Sequence, residues 1–493
     1  MKHSAILLLA VLYCLCGRVI GQTRTLAPVE ASLFRSLTSY DSLSAYLARI
    51  GSLPGMKAER IALTKQARAV FAVRASSGVF GADSSKVRIL LFAQQHGNEP
   101  AGKEALTLLL AKLSRGEMGR VLGRADLLIV PQMNPDGAEL RQRRTSDGLD
   151  LNRSHLLLNS PETKALHDLF YEWMPEVTMD IHEYDPYSSS WSDSGFIRLA
   201  DVQLGMLTNA NTPDPVRELQ HGEIFPFIAE RMKEKGYYFQ EYIVGSPEGR
   251  IRHSTTEIND GRQSFGILGS VSFIQEGRNG KSLEEGLERR ALSQLASVEA
   301  LLEYCAEHSD AIRRLVREER RRLPGLPGRP VAVRMDHVGG SGDLVIPVKD
   351  LKTGRDTSWR ARPYHGKVKL LMSSVMPERY ILERKDSLIV AVLHRHHVRV
   401  DTVWERVEMK AGRYFIDTVG QTVLEEDTIP LLSVSRREMG VILERGDFIV
   451  PTAQLQSLLI AIMLEPESVW GLTKYPMFQY LLKEKKYPVM RVR

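Results

Sequence analysis

Residues 94–103 read QQHGNEPAGK and connect two segments with different apolar patterns. The segment before them, 87–93, is almost entirely apolar and predicts a buried strand, whereas 104–113 has the apolar spacing of a helix. His96 and Glu99 are therefore expected on the turn at the carboxyl end of a strand, where α/β proteins hold ligands and metals. An imidazole nitrogen and a carboxylate oxygen both suit zinc, so this turn is a candidate for part of a metal site.

Strand and helix signals alternate along the chain as far as about residue 320. Ser160 is a good helix N-cap, and Pro161 suits the first helical turn after it. Such alternation predicts an α/β fold with a mixed central β-sheet flanked by helices. The sequence NPDG at 134–137 predicts a turn. The predicted strands are 127–131, 175–181 and 269–275, and the predicted helices are 160–173, 219–235 and 282–320.

A segment rich in proline and glycine divides the chain. The length of 493 residues is too great for one ordinary core, so two or more domains are expected. We predict a larger α/β domain at 22–322, a linker at 323–330 and a smaller β-rich accessory domain at 331–493. In this last region, strand patterns occur at 331–334 and 367–371, a helix is predicted at 378–392, and we find no catalytic motif.

The first 21 residues have the pattern of a secretory signal peptide: a short basic start, an apolar core and a small residue, Gly21, before the predicted cleavage point. The protein is therefore expected to be exported, to a periplasmic or extracellular location. Cys14 and Cys16 would leave with the signal, so Cys305 would have no partner for an internal disulfide. The apolar core is too short to cross a bilayer comfortably, and no stable membrane anchor is expected.

The charge pattern argues against nucleic acid as a partner. The net charge of +6 is modest for a chain of this length. No tract of lysine and arginine interleaved with aromatic residues is present in the sequence. We therefore expect no nucleic-acid partner.

A catalytic zinc site needs a third protein ligand and an open position for water. His182 ends the predicted strand at 175–181, and a histidine on a separate strand is a common addition to a close pair of ligands. A carboxylate within hydrogen-bond reach of the water would complete a general base. Glu276 is the candidate, because it follows the predicted strand at 269–275.

Arginine and amide side chains suited to an anionic substrate lie between these residues. Arg143 or Arg144 could stabilise the oxyanion that forms on a carbonyl under attack. Asn152 and Arg153 offer an amide beside a guanidinium, a pair that suits a substrate carboxylate.

The order of these motifs resembles that of the zinc metallocarboxypeptidase family, the carboxypeptidase A-like enzymes, over roughly residues 60–310. The resemblance implies a mixed eight-stranded sheet flanked by helices, one zinc ion per catalytic domain and a peptide substrate with a free C-terminal carboxylate. The C-terminal region resembles the tail attached to some secreted bacterial members. The motifs are His96-x-x-Glu99, the NPDG sequence at 134–137, Asp150-Leu151-Asn152-Arg153, His182 and Glu276.

The resemblance also implies a role for each matching residue. His96, Glu99 and His182 would be the zinc ligands, and Glu276 would be the general base that activates water and hands a proton to the leaving amine. The other implied roles are Arg143 as the arginine that polarises the carbonyl, with Arg144 as the alternative; Asn152 and Arg153 as the pair that holds the terminal carboxylate; and Asp150 as the carboxylate that orients a ligand histidine.

Two departures from the family pattern stand out. The family usually has a tyrosine some twenty residues before the base, but 253–257 reads HSTTE, and Tyr242 lies too far back to align. Its role is therefore left unassigned. Glu183 follows His182 where many members have serine, so it could favour a basic substrate or serve as a hydrogen-bonded polar partner.

Three functions are compatible with this sequence. The first is an exported zinc metallocarboxypeptidase that hydrolyses the C-terminal peptide bond of peptides. The second is a zinc amide hydrolase acting on peptidoglycan stem peptides or N-acyl amino acids. The third is a non-catalytic binding or scaffold protein with a degenerate peptidase domain, which would lack stoichiometric zinc.

Overall fold

The computed structural model describes residues 25–340, 342–425 and 427–493. The predicted signal peptide at 1–21 lies outside the described residues. The helices are α1 (Pro28–Ala31), α2 (Tyr40–Ile50), α3 (Ala101–Ser114), α4 (Gly119–Leu122), α5 (Pro135–Glu139), α6 (Pro161–Trp173), α7 (Ser189–Ser192), α8 (Asp214–Leu219), α9 (Phe225–Glu234), α10 (Gly261–Gly266), α11 (Leu287–Glu307), α12 (Ser309–Arg322), α13 (Ser387–Arg395) and α14 (Ser457–Leu464).

The strands outnumber the helices, mainly because of the C-terminal region. They are β1 (Met56–Leu63), β2 (Ala69–Ala75), β3 (Val87–Ala93), β4 (Ala125–Val130), β5 (Val177–Tyr184), β6 (Phe196–Arg198), β7 (Val202–Gly205), β8 (Phe239–Glu241), β9 (Ile243–Val244), β10 (Arg252–His253), β11 (Val271–Arg278), β12 (Pro330–Val338), β13 (Leu344–Asp350), β14 (Asp356–Ala361), β15 (Lys367–Val375), β16 (Arg379–Leu382), β17 (Asp401–Thr402), β18 (Val407–Leu424), β19 (Asp427–Leu443), β20 (Phe448–Pro451) and β21 (Lys486–Val492).

The central sheet has eight strands in the order β1-β2-β4-β3-β5-β11-β7-β8. The pairs β3/β4, β3/β5, β5/β11 and β7/β8 are parallel, whereas β1/β2, β2/β4 and β7/β11 are antiparallel. Every residue of β4 and β5 is buried, as expected for strands covered on both faces. The predicted mixed sheet flanked by helices is confirmed.

Helices cover the two faces of the sheet unequally. On one face α3 and α11 form a core with the alternate residues of the strands, and Cys305 lies buried there as a free thiol. On the other face α6 and α10 pack with residues of the C-terminal region in one continuous core, in which Phe170 and Phe265 stack at 4.4 Å. Full burial of a leucine or phenylalanine side chain contributes about 1.5–3 kcal/mol, so this shared core holds the two regions together.

Three predicted elements differ from the structure. The NPDG turn is the first turn of helix α5, because Asn134 accepts a hydrogen bond from the Gly137 amide and caps the helix. The long helix predicted at 282–320 is two helices that meet at His308, whose φ and ψ of −110° and 21° lie outside the helical region. The helix predicted at 378–392 is wrong in its first half, because residues Arg379–Leu382 pair with β20 and β21 as strand β16.

The C-terminal region is β-rich, as predicted, and it is joined to the first region through a shared sheet. It contains a six-stranded sheet, β17-β20-β16-β21-β18-β19, and a two-stranded sheet, β12-β15. A three-stranded sheet, β14-β13-β6, combines two strands of this region with one strand of the first. The register pairs Val348 with Arg198. None of the helices in the described residues is long and apolar enough to cross a bilayer.

A buried ion pair joins strand β21 of the six-stranded sheet to the end of helix α14. The Glu465 carboxylate accepts hydrogen bonds from the hydroxyls of Tyr380 and Tyr414, at 2.6 and 2.7 Å, and from Arg491 Nη1 at 3.1 Å. A buried charge is tolerated only when its hydrogen-bonding groups are satisfied in this way.

We predict that Glu465→Ala lowers the free energy of unfolding by about 3–5 kcal/mol, because the Arg491 charge stays buried without its partner. Glu378→Ala is the control, since Glu378 is exposed and its one ion pair among the described residues is with Arg379, which limits its effect to about 1 kcal/mol or less. Chemical denaturation followed by tryptophan fluorescence measures both. Equal stability of the two variants would contradict the prediction.

Candidate active site

His96, Glu99 and His182 converge at the carboxyl ends of β3 and β5. Their ligand atoms all lie within 4.8 Å of one another. His96 Nδ1 is 2.8 Å from Glu99 Oε1, His182 Nδ1 is 2.9 Å from Glu99 Oε2, and the two Nδ1 atoms are 3.1 Å apart. All three side chains are buried. The structure thus brings together the three residues predicted as zinc ligands, although 83 residues separate Glu99 from His182.

The turn that carries His96 and Glu99 is held by close backbone packing. A Cβ atom on Gly97 would lie 2.0 Å from the carbonyl carbon of Gly137, so only glycine fits against helix α5. Gln94 has a left-handed backbone with φ of 55°. Its side chain donates to the Gly97 carbonyl and accepts from Gln132, both at 3.0 Å, which holds this unusual conformation in place.

Each ligand histidine has a carboxylate beside its second ring nitrogen. Asp150 Oδ1 is 3.2 Å from His96 Nε2, and Asp180 Oδ1 is 2.9 Å from His182 Nε2. A carboxylate in this position favours a proton on Nε2, which leaves the Nδ1 lone pair free for a metal. Two imidazoles with free lone pairs and one anionic carboxylate form a ligand set that zinc binds in catalytic sites. The residues present therefore fit a zinc ion.

Asp180 was not predicted from the sequence. It lies two residues before His182 on the same strand, and this spacing places both side chains on one face of the sheet. Asp180 is itself fixed by Gln95, whose Nε2 donates to its Oδ2 at 2.8 Å. Burial acts to raise the pKa of Glu99, but the charges and hydrogen bonds of His96 and His182 outweigh it and hold the pKa below its usual range.

Glu276 lies beside the three predicted ligands because of strand register. In the parallel pair β5/β11, Glu276 is aligned with His182, and on the other side of β11 it is aligned with Gln203 of β7. The carboxyl group is buried, and burial raises its pKa to about 7, helped by Glu99 and opposed by His182. A carboxyl group with a pKa near neutrality can both accept and return a proton.

The two candidate arginines lie in different surroundings. Arg143 Nε donates to Asp150 Oδ2 at 2.9 Å, and its Nη1 lies 3.7 Å from Glu99 Oε1, at the edge of the cavity that contains the predicted ligands. Arg144 is exposed, donates to the Gly148 carbonyl and lies outside the lining of this cavity. Of the two alternatives, Arg143 is therefore the one within reach of a carbonyl near the ligands.

Asn152 and Arg153 line the same cavity, whose volume is about 580 Å³. Asn152 Oδ1 accepts from the Gly261 amide at 2.9 Å and from Gln95 at 3.3 Å. The side-chain oxygen of Asn152 is thus occupied, and its side-chain NH₂ group remains available to an anion. Arg153 is exposed to the cavity and donates to the backbone carbonyl of Asn152 at 2.9 Å.

Two further residues of the cavity wall, Tyr242 and Arg198, were not assigned from the sequence. The Tyr242 hydroxyl has a raised pKa, first because it is buried and then because Glu276 is near. Its position depends on the backbone bond from its amide to the Leu204 carbonyl in the central sheet, which gives no local sequence signal.

Both carboxylate oxygens of Glu183 accept hydrogen bonds from the protein. Its Oε1 accepts from Arg290 Nε at 2.9 Å, and its Oε2 accepts from the Ala101 amide at 2.9 Å. Its own amide donates to Glu99 at 3.0 Å. Of the two possibilities raised by the sequence, the structure supports the hydrogen-bonded polar partner.

Residues 44–219 match the family model described as zinc carboxypeptidase. This segment contains His96, Glu99, Asn152, Arg153 and His182, but it ends before Glu276. The candidate base therefore rests on the strand register and not on the family match.

Among curated proteins, the chain is similar to "Carboxypeptidase 2" of Trichophyton rubrum, with 23% identity over 441 residues that cover 85% of this chain and 79% of that protein. Because this coverage exceeds the domain predicted at 22–322, the similarity extends into the C-terminal region. A shorter similarity, 34% identity over 106 residues, links it to "Carboxypeptidase E" of Caenorhabditis elegans, covering 18% of this chain and 21% of that protein.

Solved carboxypeptidase structures align with just over half of the chain. A metallo-carboxypeptidase from Pseudomonas aeruginosa aligns with a TM-score of 0.43 and 22% identity, covering 55% of this chain and 69% of that one. A putative carboxypeptidase A from Shewanella denitrificans aligns with a TM-score of 0.44 and 20% identity, covering 55% of this chain and 71% of that one. Residues 44–219 therefore carry a zinc carboxypeptidase domain, and this match together with the curated carboxypeptidase relatives supports a metallocarboxypeptidase-type hydrolase.

Proposed function

We propose that this protein hydrolyses the C-terminal peptide bond of peptides that end in a free carboxylate, with His96, Glu99 and His182 as ligands of one zinc ion. The observation that carries the proposal is the register of β5 and β11, in which Glu276 is aligned with His182. The base candidate, two of the three ligand candidates and two groups suited to a carboxylate thus line one cavity, and the third ligand candidate, His182, lies beside the other two.

In the proposed reaction, Glu276 removes a proton from the attacking water and then returns it to the nitrogen of the leaving amine. Its buried carboxyl, with a pKa of about 7 in the metal-free protein, suits both steps. Arg143 donates to the oxyanion that forms as the carbonyl is attacked. Zinc, when bound, would supply a Lewis acid that polarises the carbonyl and acidifies the water.

Asn152 and Arg153 hold the terminal carboxylate in this proposal. Charge-assisted hydrogen bonds from a guanidinium are stronger than neutral ones, so a free carboxylate would be preferred over an amide. Gln95 and the Gly261 amide fix the orientation of Asn152, which reduces the entropy lost when substrate binds.

We also propose that the protein is exported, on the basis of the signal-peptide pattern at 1–21. Mass spectrometry of protein secreted by its native host should give a mature chain that begins at Gln22. A cell-associated chain that retains Met1 would contradict this proposal.

We predict that Glu276→Gln lowers kcat by about 10²–10⁴-fold, because the amide cannot accept the proton of water. The variant should still bind one zinc ion, since Glu276 is not among the three predicted ligands. Steady-state kinetics and elemental analysis measure these two properties. A variant that turns over at near the wild-type rate would refute the role of Glu276.

We predict that the wild-type enzyme prefers peptides with a free C-terminus over their amidated forms by about 10–100-fold in kcat/KM, because a hydrogen bond to a charged group contributes roughly 1.5–3 kcal/mol. Arg153→Met should remove most of this preference and raise KM for the free peptides. Arg144→Met is the matched control, because Arg144 lies outside the cavity. Equal cleavage of free and amidated peptides by the wild type would rule out binding of the terminal carboxylate by Asn152 and Arg153.

We predict that Asp180→Asn weakens zinc binding by about 10–100-fold, because the amide no longer fixes the proton of His182 on Nε2. Competition with a chromophoric chelator measures the affinity, and Asp168→Asn, a change at a half-buried carboxylate that pairs with Lys164 and His397, is the control. Unchanged affinity in Asp180→Asn would argue against this role. Wild-type protein without stoichiometric zinc would favour the binding or scaffold alternative.

A further inference from the structure

Arg198 is a buried cation in the wall of the active-site cavity. It is the last residue of β6, its relative exposure is 8%, and it lines the same cavity as His96, Asn152 and Glu276. None of the roles implied by the family resemblance uses it. It lies in the segment between β5 and β7, where the sequence predicts neither a helix nor a strand.

Among the described side chains, no carboxylate pairs with the Arg198 guanidinium. Its Nη2 donates to the Asp185 carbonyl at 2.7 Å, while its Nε is buried without an acceptor. Within the residues that the structure describes, no acidic oxygen lies within 4.0 Å of it. Three other buried arginines differ in this respect, because each has an ion pair: Arg262 with Asp260, Arg290 with Glu183, and Arg491 with Glu465.

The surroundings hold this cation in place without neutralising it. Its guanidinium carbon lies 4.4 Å from the centre of the Tyr184 ring and 5.6 Å from that of Trp191. The Asp185 and Glu276 carboxylates lie farther away and partly offset the burial that lowers its pKa. Asp185 Oδ1 is itself engaged by the Tyr187 amide. An aromatic cage leaves a guanidinium able to bind an anion.

The C-terminal region fixes the backbone that carries Arg198. Arg198 is aligned with Val348 in the antiparallel pair β6/β13, and Ile197 with Lys349. The indole of Trp191 donates at 2.9 Å to the carbonyl of Gly245, which also lines the cavity. The cation is therefore preorganised, and little entropy would be lost when an anion binds.

We propose that Arg198 binds an acidic side chain of the substrate, so that the enzyme prefers peptides with aspartate or glutamate at the last or the penultimate position. This inference rests on the proposed function, in which Asn152 and Arg153 already hold the terminal carboxylate. A second, separate cation in the cavity then selects a second anionic group. The planar guanidinium matches the two oxygens of a carboxylate.

The test compares matched peptides that differ only in glutamate against glutamine, at the last position in one pair and at the penultimate position in the other. The zinc-loaded full chain is used throughout, and the readout is the ratio of kcat/KM for the two members of a pair. For the wild type, a ratio of about 10–100 is expected in at least one pair. Arg198→Gln should reduce that ratio to about one.

Two further variants separate charge from structure. Arg198→Lys keeps the charge but loses the planar fork, and should retain an intermediate ratio. Arg360→Gln removes an exposed arginine from β14 of the same three-stranded sheet, and should retain the full wild-type ratio. Should Arg198→Gln fail to fold, the wild-type and Arg198→Lys ratios still decide the matter.

The outcomes distinguish this inference from the proposed function. A wild type that cleaves the glutamine and glutamate peptides equally in both pairs would overturn the inference and leave the carboxypeptidase function intact. A ratio that persists in both Arg198 variants would overturn it as well. Cleavage of none of the peptides by zinc-loaded protein would refute the proposed function itself.

Discussion

The parallel pairing of β5 with β11 is the constraint on which the site depends. It aligns Glu276 with His182, and the neighbouring pair β3/β5 brings the turn with His96 and Glu99 to the same edge. A shift of one residue in the pairing of a buried strand would turn all of its side chains to the other face of the sheet, so the register is strongly fixed. The separation of the candidate base from the candidate ligands is therefore set by the core and not by flexible loops.

The same arrangement concentrates negative charge where water is excluded. Glu99, Asp180 and Glu276 are all buried around the two histidines, and Asp150 is next to them. Arg143, the permanent cation in contact with this group, is partly exposed and neutralises only part of the charge. Buried charges of one sign require a compensating ion or protonation. A dication bound by these residues would satisfy this requirement, and two Nδ1 atoms that face each other at 3.1 Å suit two ligands of one ion.

The residues that could be located from the sequence are those that belong to a local pattern of neighbouring residues. The strand before His96, the helix after Glu99 and the cap at Ser160 all rest on local patterns, and the structure contains them. Asp180 was missed, although the two-residue spacing from His182 was visible. Arg198 and Tyr242 could not be found in this way, because their positions depend on pairing with strands far away, such as β13 about 150 residues later. The error in the helix predicted at 378–392 has the same cause, since pairing with β20 and β21 makes residues 379–382 a strand.

The C-terminal region contributes to the cleft as well as to stability. His337 Nε2 lies 2.8 Å from the His253 carbonyl, and Arg250 pairs with Asp336 at 2.9 Å, so the segment that follows β9 is fixed from outside the central sheet. Gly245 and Ser246 of this segment and Arg198 of β6 line the active-site cavity. Among the described residues, Glu183 is paired with Arg290 inside the domain, whereas Arg198, held by β13, has no such partner. The proposed preference for an acidic side chain therefore depends on a strand supplied by the C-terminal region.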